Sequence, residues 1–187
     1  ICHLIDIASV AARLWADCIP VSAQEWFAEQ IGLDRPSTAR WTVFCAAAHD
    51  VGKASPAFLR REAFLRPVPH GTVSTVILRD RLAAEPFFID GDVADRLATV
   101  IGGHHGVFPS PAEISRASDE RKQIGRGEWQ ARQAWLLGEI ARLTEVDRSS
   151  PPNRLSNAGA LWLAGFISVA DWIGSNNAFF PYAAPHG

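Results

Sequence analysis

The segment 157–174, NAGALWLAGFISVADWIG, is apolar nearly all the way round a helix and holds one ionisable side chain, Asp171. A helix of that kind is expected at the centre of a bundle, covered by other helices. Asp171 is also the only Asp, Glu, Lys or Arg that follows Arg154. A carboxylate so placed must be protonated, paired or metal-bound, because leaving it ionised and alone in an apolar setting is costly. Few cations lie near it in sequence. A metal ion is therefore the economical partner, and an arginine from another helix is the alternative.

The remaining segments supply the covering helices, since helical periodicity dominates and no stretch sustains period-two alternation. In HLIDIASVAARLWADC (3–18), Leu4, Ile7, Ala8, Ala11, Leu14 and Trp15 form one apolar stripe with His3 on its edge. SAQEWFAEQIG opens on a Ser22/Glu25 capping-box pattern and closes on Gly32. Further helices are expected over 38–50, stopping at Gly52; from Ser55 and Pro56 to before Pro67; and over 72–85, 92–103 and 128–146. Residues 104–113 form a loop and SSPPN a linker. The polar run 112–127 reads as an excursion from the bundle, although Ser110, Pro111 and Glu113 could also start a helix there. The expectation is one all-α domain over 1–187.

Composition narrows the function classes. With 48% hydrophobic and 20% charged residues the chain is globular. A net charge of −2 provides no global field for nucleic acid. The cations are nevertheless 16 Arg and only 2 Lys, a bias that suits phosphate as well as it suits genomic composition. No apolar run reaches the length of a membrane span, and residues 1–15 carry His3, Asp6 and Arg13 where a signal peptide would be apolar. Cys2, Cys18 and Cys45 lack metal or disulfide spacing, which fits a reducing, cytoplasmic compartment. A chain that starts with Ile and has no Met reads as a fragment.

The candidate chemistry lies in histidines and acids at helix ends. WTVFCAAAHDVGKAS (41–55) is an apolar helix that ends in His49 and Asp50, followed by Gly52 and Lys53. Adjacent residues on a helix point about 100° apart. At a helix end beside a glycine, however, the two can straddle one cavity, and a carboxylate has two oxygens with which to bridge two ions. His104 and His105 follow Gly102 and Gly103, and His70 precedes Gly71. Each of these alone is more often a cap or a satisfied core residue than a ligand. His186, in the tail, has no supporting context.

Taken together, HDVGKASPAF, PHGTVS, GGHHG and SVADWIGSN, preceded by a histidine on the first helix, resemble the HD metal-dependent phosphohydrolase superfamily. Within it, the four motifs, which come in the family's order, together look like the HD nuclease domain of the type I CRISPR helicase-nuclease. The resemblance runs from residue 3 to residue 177. It implies an HD-domain-like helical bundle with a dinuclear metal site, in which His3, His49, Asp50 and Asp171 hold one ion. Asp50 then bridges to a second ion held by His70, His104 and His105. It also implies that Lys53 lies near the substrate phosphate and that Asp50 and Lys53 are catalytic. The short span between LRRE and PHG departs from the family pattern.

A histidine-rich set suits two divalent transition ions, Mn, Fe, Co or Ni, with Zn or Mg also possible. Such a pair could polarise a phosphodiester and activate water. The implied partners are single-stranded DNA, a helicase in the same chain or a separate subunit, and a CRISPR surveillance complex. Trp172 and Phe108 are candidate stacking residues for a strand. Two basic runs, Arg60/Arg61/Arg66 and Arg116/Arg121/Lys122/Arg126, could track a backbone, although charge runs are first of all solvated faces. The competing readings are an HD phosphohydrolase acting on nucleotides or cyclic dinucleotides, and a non-catalytic, metal-stabilised docking module. The tail NNAFFPYAAP would pack on a partner in either case.

Overall fold

The computed structural model describes residues 2–180, so His186 and the tail beyond Phe180 lie outside the described residues. It is all-helical, with no strand among those residues. The helices are α1 (Cys2–Arg13), α2 (Val21–Ile31), α3 (Arg35–Ala48), α4 (Pro56–Leu59), α5 (His70–Leu82), α6 (Gly91–Gly102), α7 (Pro111–Asp119), α8 (Arg121–Ile124), α9 (Glu128–Leu143) and α10 (Asn157–Gly174). A 3-10 turn at Val51–Lys53 joins α3 to α4. Among the described residues no helix is long and apolar enough to cross a membrane.

The centre of the bundle is α3 and α5 rather than α10. In α3, Trp41, Thr42 and Phe44 to Ala48 are buried, and in α5 every residue from Gly71 to Leu78 is buried. α10 buries Leu163, Phe166, Ile167, Ala170 and Asp171 but exposes Leu161, Val169 and Trp172, so its apolar character is not a sign of all-round burial. The polar residues of the central helices are satisfied locally. Thr42 Oγ1 donates to the Thr38 carbonyl and Thr75 Oγ1 to the Gly71 carbonyl, each one turn back.

Several boundaries differ from expectation for identifiable reasons. α3 starts at Arg35 rather than Thr38, because Asp34 caps it by accepting the Ser37 N–H and Pro36 suits the first turn. The Ser22/Glu25 box is not formed. α2 starts at Val21 directly after Pro20, and its buried Gln24 donates to the carbonyls of Trp15 and Ile19, fastening α2 to the preceding π-helical turn Leu14–Cys18.

The helix expected over 55–66 stops after one turn at Leu59, since residues 58–63 are exposed and offer no face to bury. The run 112–127, in contrast, is not an excursion. The Ser110/Glu113 capping box forms, and Ile114 and Ala117 pack against Val76 of α5.

Three close approaches set how the helices cross. A Cβ at Gly52 would overlap the His70 carbonyl oxygen, one at Gly102 would overlap Thr75 Oγ1 and the Gly71 carbonyl oxygen, and one at Gly174 would overlap Ile7 Cδ1. These glycines let α5 touch the turn after α3, let α6 touch α5, and let α10 touch α1. Gly165 of α10 has open space around it. In urea denaturation, Gly102→Ala is expected to lose about 2–3 kcal/mol through overpacking. Gly165→Ala is expected to gain roughly 0.5–1 kcal/mol from helix propensity.

Candidate metal centre

The ends of five helices meet at one point. α3 ends at His49 and Asp50, α5 begins at His70, α6 runs out at His104 and His105, and α1 and α10 bring His3 and Asp171. The turn that carries the His49–Asp50 pair is fastened by Ser74 of α5, whose hydroxyl donates to the His49 carbonyl at 2.8 Å and accepts from the Gly52 N–H at 2.9 Å. Ser55 Oγ closes the same turn by donating to the Gly52 carbonyl at 2.6 Å. On the opposite side, Ser168 Oγ of α10 donates to the His104 carbonyl at 2.5 Å.

Asp50 is the hub. Its Oδ2 lies 3.4 Å from His3 Nε2 and 3.2 Å from His49 Nε2, and its Oδ1 lies 3.3 Å from His70 Nε2 and 3.8 Å from His104 Nε2. Asp171 Oδ1 closes the first side, 3.5 Å from His3 Nε2 and 3.4 Å from His49 Nε2. His105 Nε2 closes the second, 3.1 Å from His70 Nε2. All seven side chains singled out as ligands from the sequence therefore converge. They fall into overlapping groups spaced to hold an ion: His3/His49/Asp171, His49/Asp50/His104 and His70/His104/His105.

The two buried imidazoles are oriented by the backbone. His49 Nδ1 faces the Ala46 carbonyl at 2.8 Å and His104 Nδ1 faces that of Ile101 at 2.8 Å. A carbonyl can only accept, so each Nδ1 carries a proton and each Nε2 is aimed toward the carboxylates. Among the described residues, four buried side-chain nitrogen or oxygen atoms lack a hydrogen-bond partner, and three of them are His49 Nε2, Asp50 Oδ1 and His104 Nε2. Orphaned buried polar atoms are rare because each is costly. Three at one point, all of metal-ligand type, fit a bound cation.

Protons and Lys53 hold the carboxylates in its place. Burial opposes ionisation of Asp50 and Asp171, but the facing His3 and His49 rings prevail and keep both well below the usual carboxylate range. Burial likewise opposes protonation of His49, yet Asp171 and Asp50 raise it to about 9, and the same carboxylates raise His3. On the second side, burial pushes His104 down to about 4 and lowers His70. Lys53 Nζ sits 2.5 Å from Asp50 Oδ2, on the carboxylate rather than in open solvent, and 5.7 Å over the Phe58 ring.

The aromatic candidates fare differently. Trp172 is 70% exposed on the outer face of α10, and Phe108 lies against Gly103 behind the histidine pair. Phe58, which the sequence did not single out, has its ring 6.0 Å from that of His70. Ser74 and Ser168 were also missed. A hydroxyl that serves a distant carbonyl leaves no spacing signal, although Ser74 does stand one turn after His70.

Comparison with known proteins identifies the family. A family model described as "Cas3, HD domain" matches residues 1–180. The chain belongs to that family. It is 29% identical to the CRISPR-associated endonuclease/helicase Cas3 of Thermus thermophilus over 96% of this chain and 21% of that protein. It is 24% identical to the CRISPR-associated nuclease/helicase Cas3 of Streptococcus thermophilus over 96% of this chain and 23% of that protein. The chain thus spans about a fifth of the length of these relatives. Among solved structures, a CRISPR-associated protein superposes with a TM-score of 0.89 at 37% identity, covering 98% of this chain and 22% of that one. The Thermus thermophilus Cas3 HD domain in the presence of Ni2+ superposes with a TM-score of 0.78 at 29% identity, covering 98% and 74%.

A ligating imidazole must be neutral, so metal uptake has to displace the proton that His49 holds up to about pH 9. Affinity for Mn2+ or Ni2+ is therefore expected to rise as pH is raised from 6.5 toward 9, by about tenfold per unit for each proton displaced. Isothermal titration calorimetry in buffers of different ionisation enthalpy reads both the affinity and the protons released. Affinity that stays flat across this range would exclude His49 as a ligand.

Proposed function

We propose that this chain is the HD nuclease domain of a larger helicase-nuclease, or the partner of a separate helicase, and that it hydrolyses phosphodiester bonds of single-stranded DNA in type I CRISPR interference. The observation that carries the reading is the two-sided environment of Asp50, with His3 and His49 on Oδ2 and His70 and His104 on Oδ1. One carboxylate shared by two imidazole sets is the donor arrangement that a pair of divalent ions requires. Family membership and a related HD domain solved with Ni2+ point the same way. In this reading His3, His49, Asp50 and Asp171 hold one ion, and Asp50, His70, His104 and His105 hold the other. Imidazole-rich sets favour Mn, Fe, Co or Ni over Mg.

When bound, two such ions supply Lewis acidity toward a phosphoryl oxygen and a water of lowered pKa. The chain's own groups do the rest. The Ala46 and Ile101 carbonyls hold the His49 and His104 tautomers, so neither ring can rotate away as charge develops. Asp50 and Asp171 are anionic, so no proton has to leave them before a cation enters. Lys53, 40% exposed, is the cation at the open side. Released from Asp50, its ammonium offers a point charge to a phosphate oxygen or to the departing alkoxide. The helicase and the surveillance complex are partners of this proposal. A Streptococcus thermophilus relative is named a nuclease/helicase, and a chain similar in fold belongs to a CRISPR RNA-guided surveillance complex in its pre-nicking state.

The test is cleavage of circular single-stranded DNA after chelator treatment, with Mn, Co, Ni, Fe, Zn or Mg restored one at a time. Metal-dependent cutting is expected, and Asp50→Ala should lose it by more than about a thousandfold, since both ion sites lose a ligand. Lys53→Ala should lower kcat by about a hundredfold, as one removed electrostatic contact to the transition state would, while metal affinity rises because the ammonium no longer competes for Asp50. A folded, metal-loaded protein that leaves the circle intact but hydrolyses nucleotides would replace this reading with the small-molecule phosphohydrolase.

A further inference from the structure

The two basic runs, separated by about a third of the chain in sequence, are brought together on one side of the bundle. Arg60, at the end of α4, and Arg121, Lys122 and Arg126, on and after α8, line one groove of about 340 Å3 floored by Pro56 and Trp129. Trp129 is flanked by two guanidinium groups, with Arg60 5.8 Å and Arg132 5.7 Å from its ring centre. Arg61 and Arg66 stand in the adjoining loop, exposed. The acids nearest in sequence are Glu62, Asp119, Glu120 and Glu128, and of these only Glu128 approaches a cation among the described residues, at 3.9 Å from Arg132. Among the described residues, Arg60, Arg61, Arg66, Arg121, Lys122 and Arg126 have no carboxylate within 4.0 Å.

The groove is built into the frame of the domain. Buried Gln123 of α8 accepts from the Val68 N–H at 2.8 Å and donates to the Arg66 carbonyl at 3.3 Å, fixing the 60–69 loop. Buried Gln133 of α9 donates to the carbonyls of Ala54 and Ile124, tying the turn after Lys53 to α8. A Cβ at Gly125 would overlap Trp129, so the chain is close-packed there as well. One helical turn, α4, links this groove to the metal centre. Phe58 of that turn carries Lys53 over its ring and faces His70.

We propose that this groove is a phosphate track for a single strand of nucleic acid. It leads from Arg121, Lys122 and Arg126, past the Trp129-ordered guanidinium of Arg60, over Phe58 and Lys53, and into the metal centre. It rests on the reading of the chain as a nuclease, and it says where the strand lies outside the reacting phosphate. The cation–π contact at 5.8 Å keeps the Arg60 guanidinium beside Trp129, where its N–H groups can serve phosphate oxygens, so binding is indifferent to base sequence. A duplex is too stiff to follow a one-turn bend into a centre whose bridging carboxylate is 4% exposed, whereas a single strand can.

The experiment is fluorescence anisotropy of labelled oligo(dT), oligo(U) and a DNA duplex with the protein in EDTA, where no hydrolysis occurs. Wild type is expected to bind both single strands more tightly than the duplex. Neutralising Arg121, Lys122 and Arg126 to Gln should weaken oligo(dT) binding by about tenfold and lower the slope of log affinity against log salt by about 2, at about 0.7 per phosphate contact on single strands. Trp129→Ala should weaken binding and Trp129→Phe should restore it, while hydrolysis of bis(p-nitrophenyl) phosphate with Mn2+, which needs only the centre, stays at the wild-type rate in all of them. Unchanged affinity and salt slope in the triple variant, or a wild type that binds no single strand, would overturn the track. A duplex bound as tightly as the single strands and equally dependent on these residues would overturn the single-strand assignment. If binding and its loss behave as expected but nothing is cleaved with any metal, the track stands and the nuclease reading fails.

Discussion

The structure depends on a buried carboxylate at the end of a buried helix. Asp50 cannot be hydrated where it stands, and its Oδ1 has no hydrogen-bond donor, so its surroundings must supply positive charge. The Lys53 ammonium and the His3 and His49 rings serve that need at Oδ2, while His70 and His104 face Oδ1. The carboxylate in turn dictates backbone geometry. His49 and Asp50 can face one cavity only if the helix ends between them and the glycine that follows, and Ser74 holds that ending from a neighbouring helix. The apolar run that precedes them in α3 is the anchor, since buried side chains from Trp41 to Ala48 prevent the pair from moving outward.

The electrostatic asymmetry of the centre follows from the same placement. The side holding Asp171 has two carboxylates facing His3 and His49 and draws protons onto these rings, whereas the side built from His70, His104 and His105 has only Asp50 Oδ1 and keeps His70 and His104 neutral. The two halves are thus prepared differently for a cation, one having to release protons and the other having free lone pairs. Asp171 owes its place to α10, whose Gly174 meets Ile7 and brings the first and last helices of the bundle into contact.

Much of this was legible in the chain because the signals are local. Helix ends at Gly32, at Gly102–Gly103 and around Gly52 follow from backbone freedom, and the His and Asp residues beside these glycines stood out as ligand types. The resemblance then connected residues that no spacing rule links, such as His3 with Asp171. What escaped were features decided between elements. The exposed face of α10 could not be read from its composition, because the sequence does not say how many neighbours a helix has. The docking of 112–127 rests on Ile114 and Ala117 finding Val76, and the early end of α4 rests on there being nothing for residues 60–66 to cover. Ser74, Ser168, Gln123 and Gln133 act through carbonyls and amides far away in sequence, which leaves no pattern along the chain.

By itself, the sequence determined that the chain is helical, that Asp171 needs a cation or a proton, and that histidines and acids collect at glycine-marked helix ends. These are short-range consequences of propensity, burial cost and backbone freedom. Tertiary structure alone decided that seven such side chains share one cavity, that Lys53 rests on Asp50, and that two remote basic runs meet around Trp129. The physical reason is that helix crossings are set where glycines let backbones touch, Gly52 on α5, Gly71 on Gly102 and Gly174 on α1. Those contacts join residues that are distant along the chain, and nothing local encodes them.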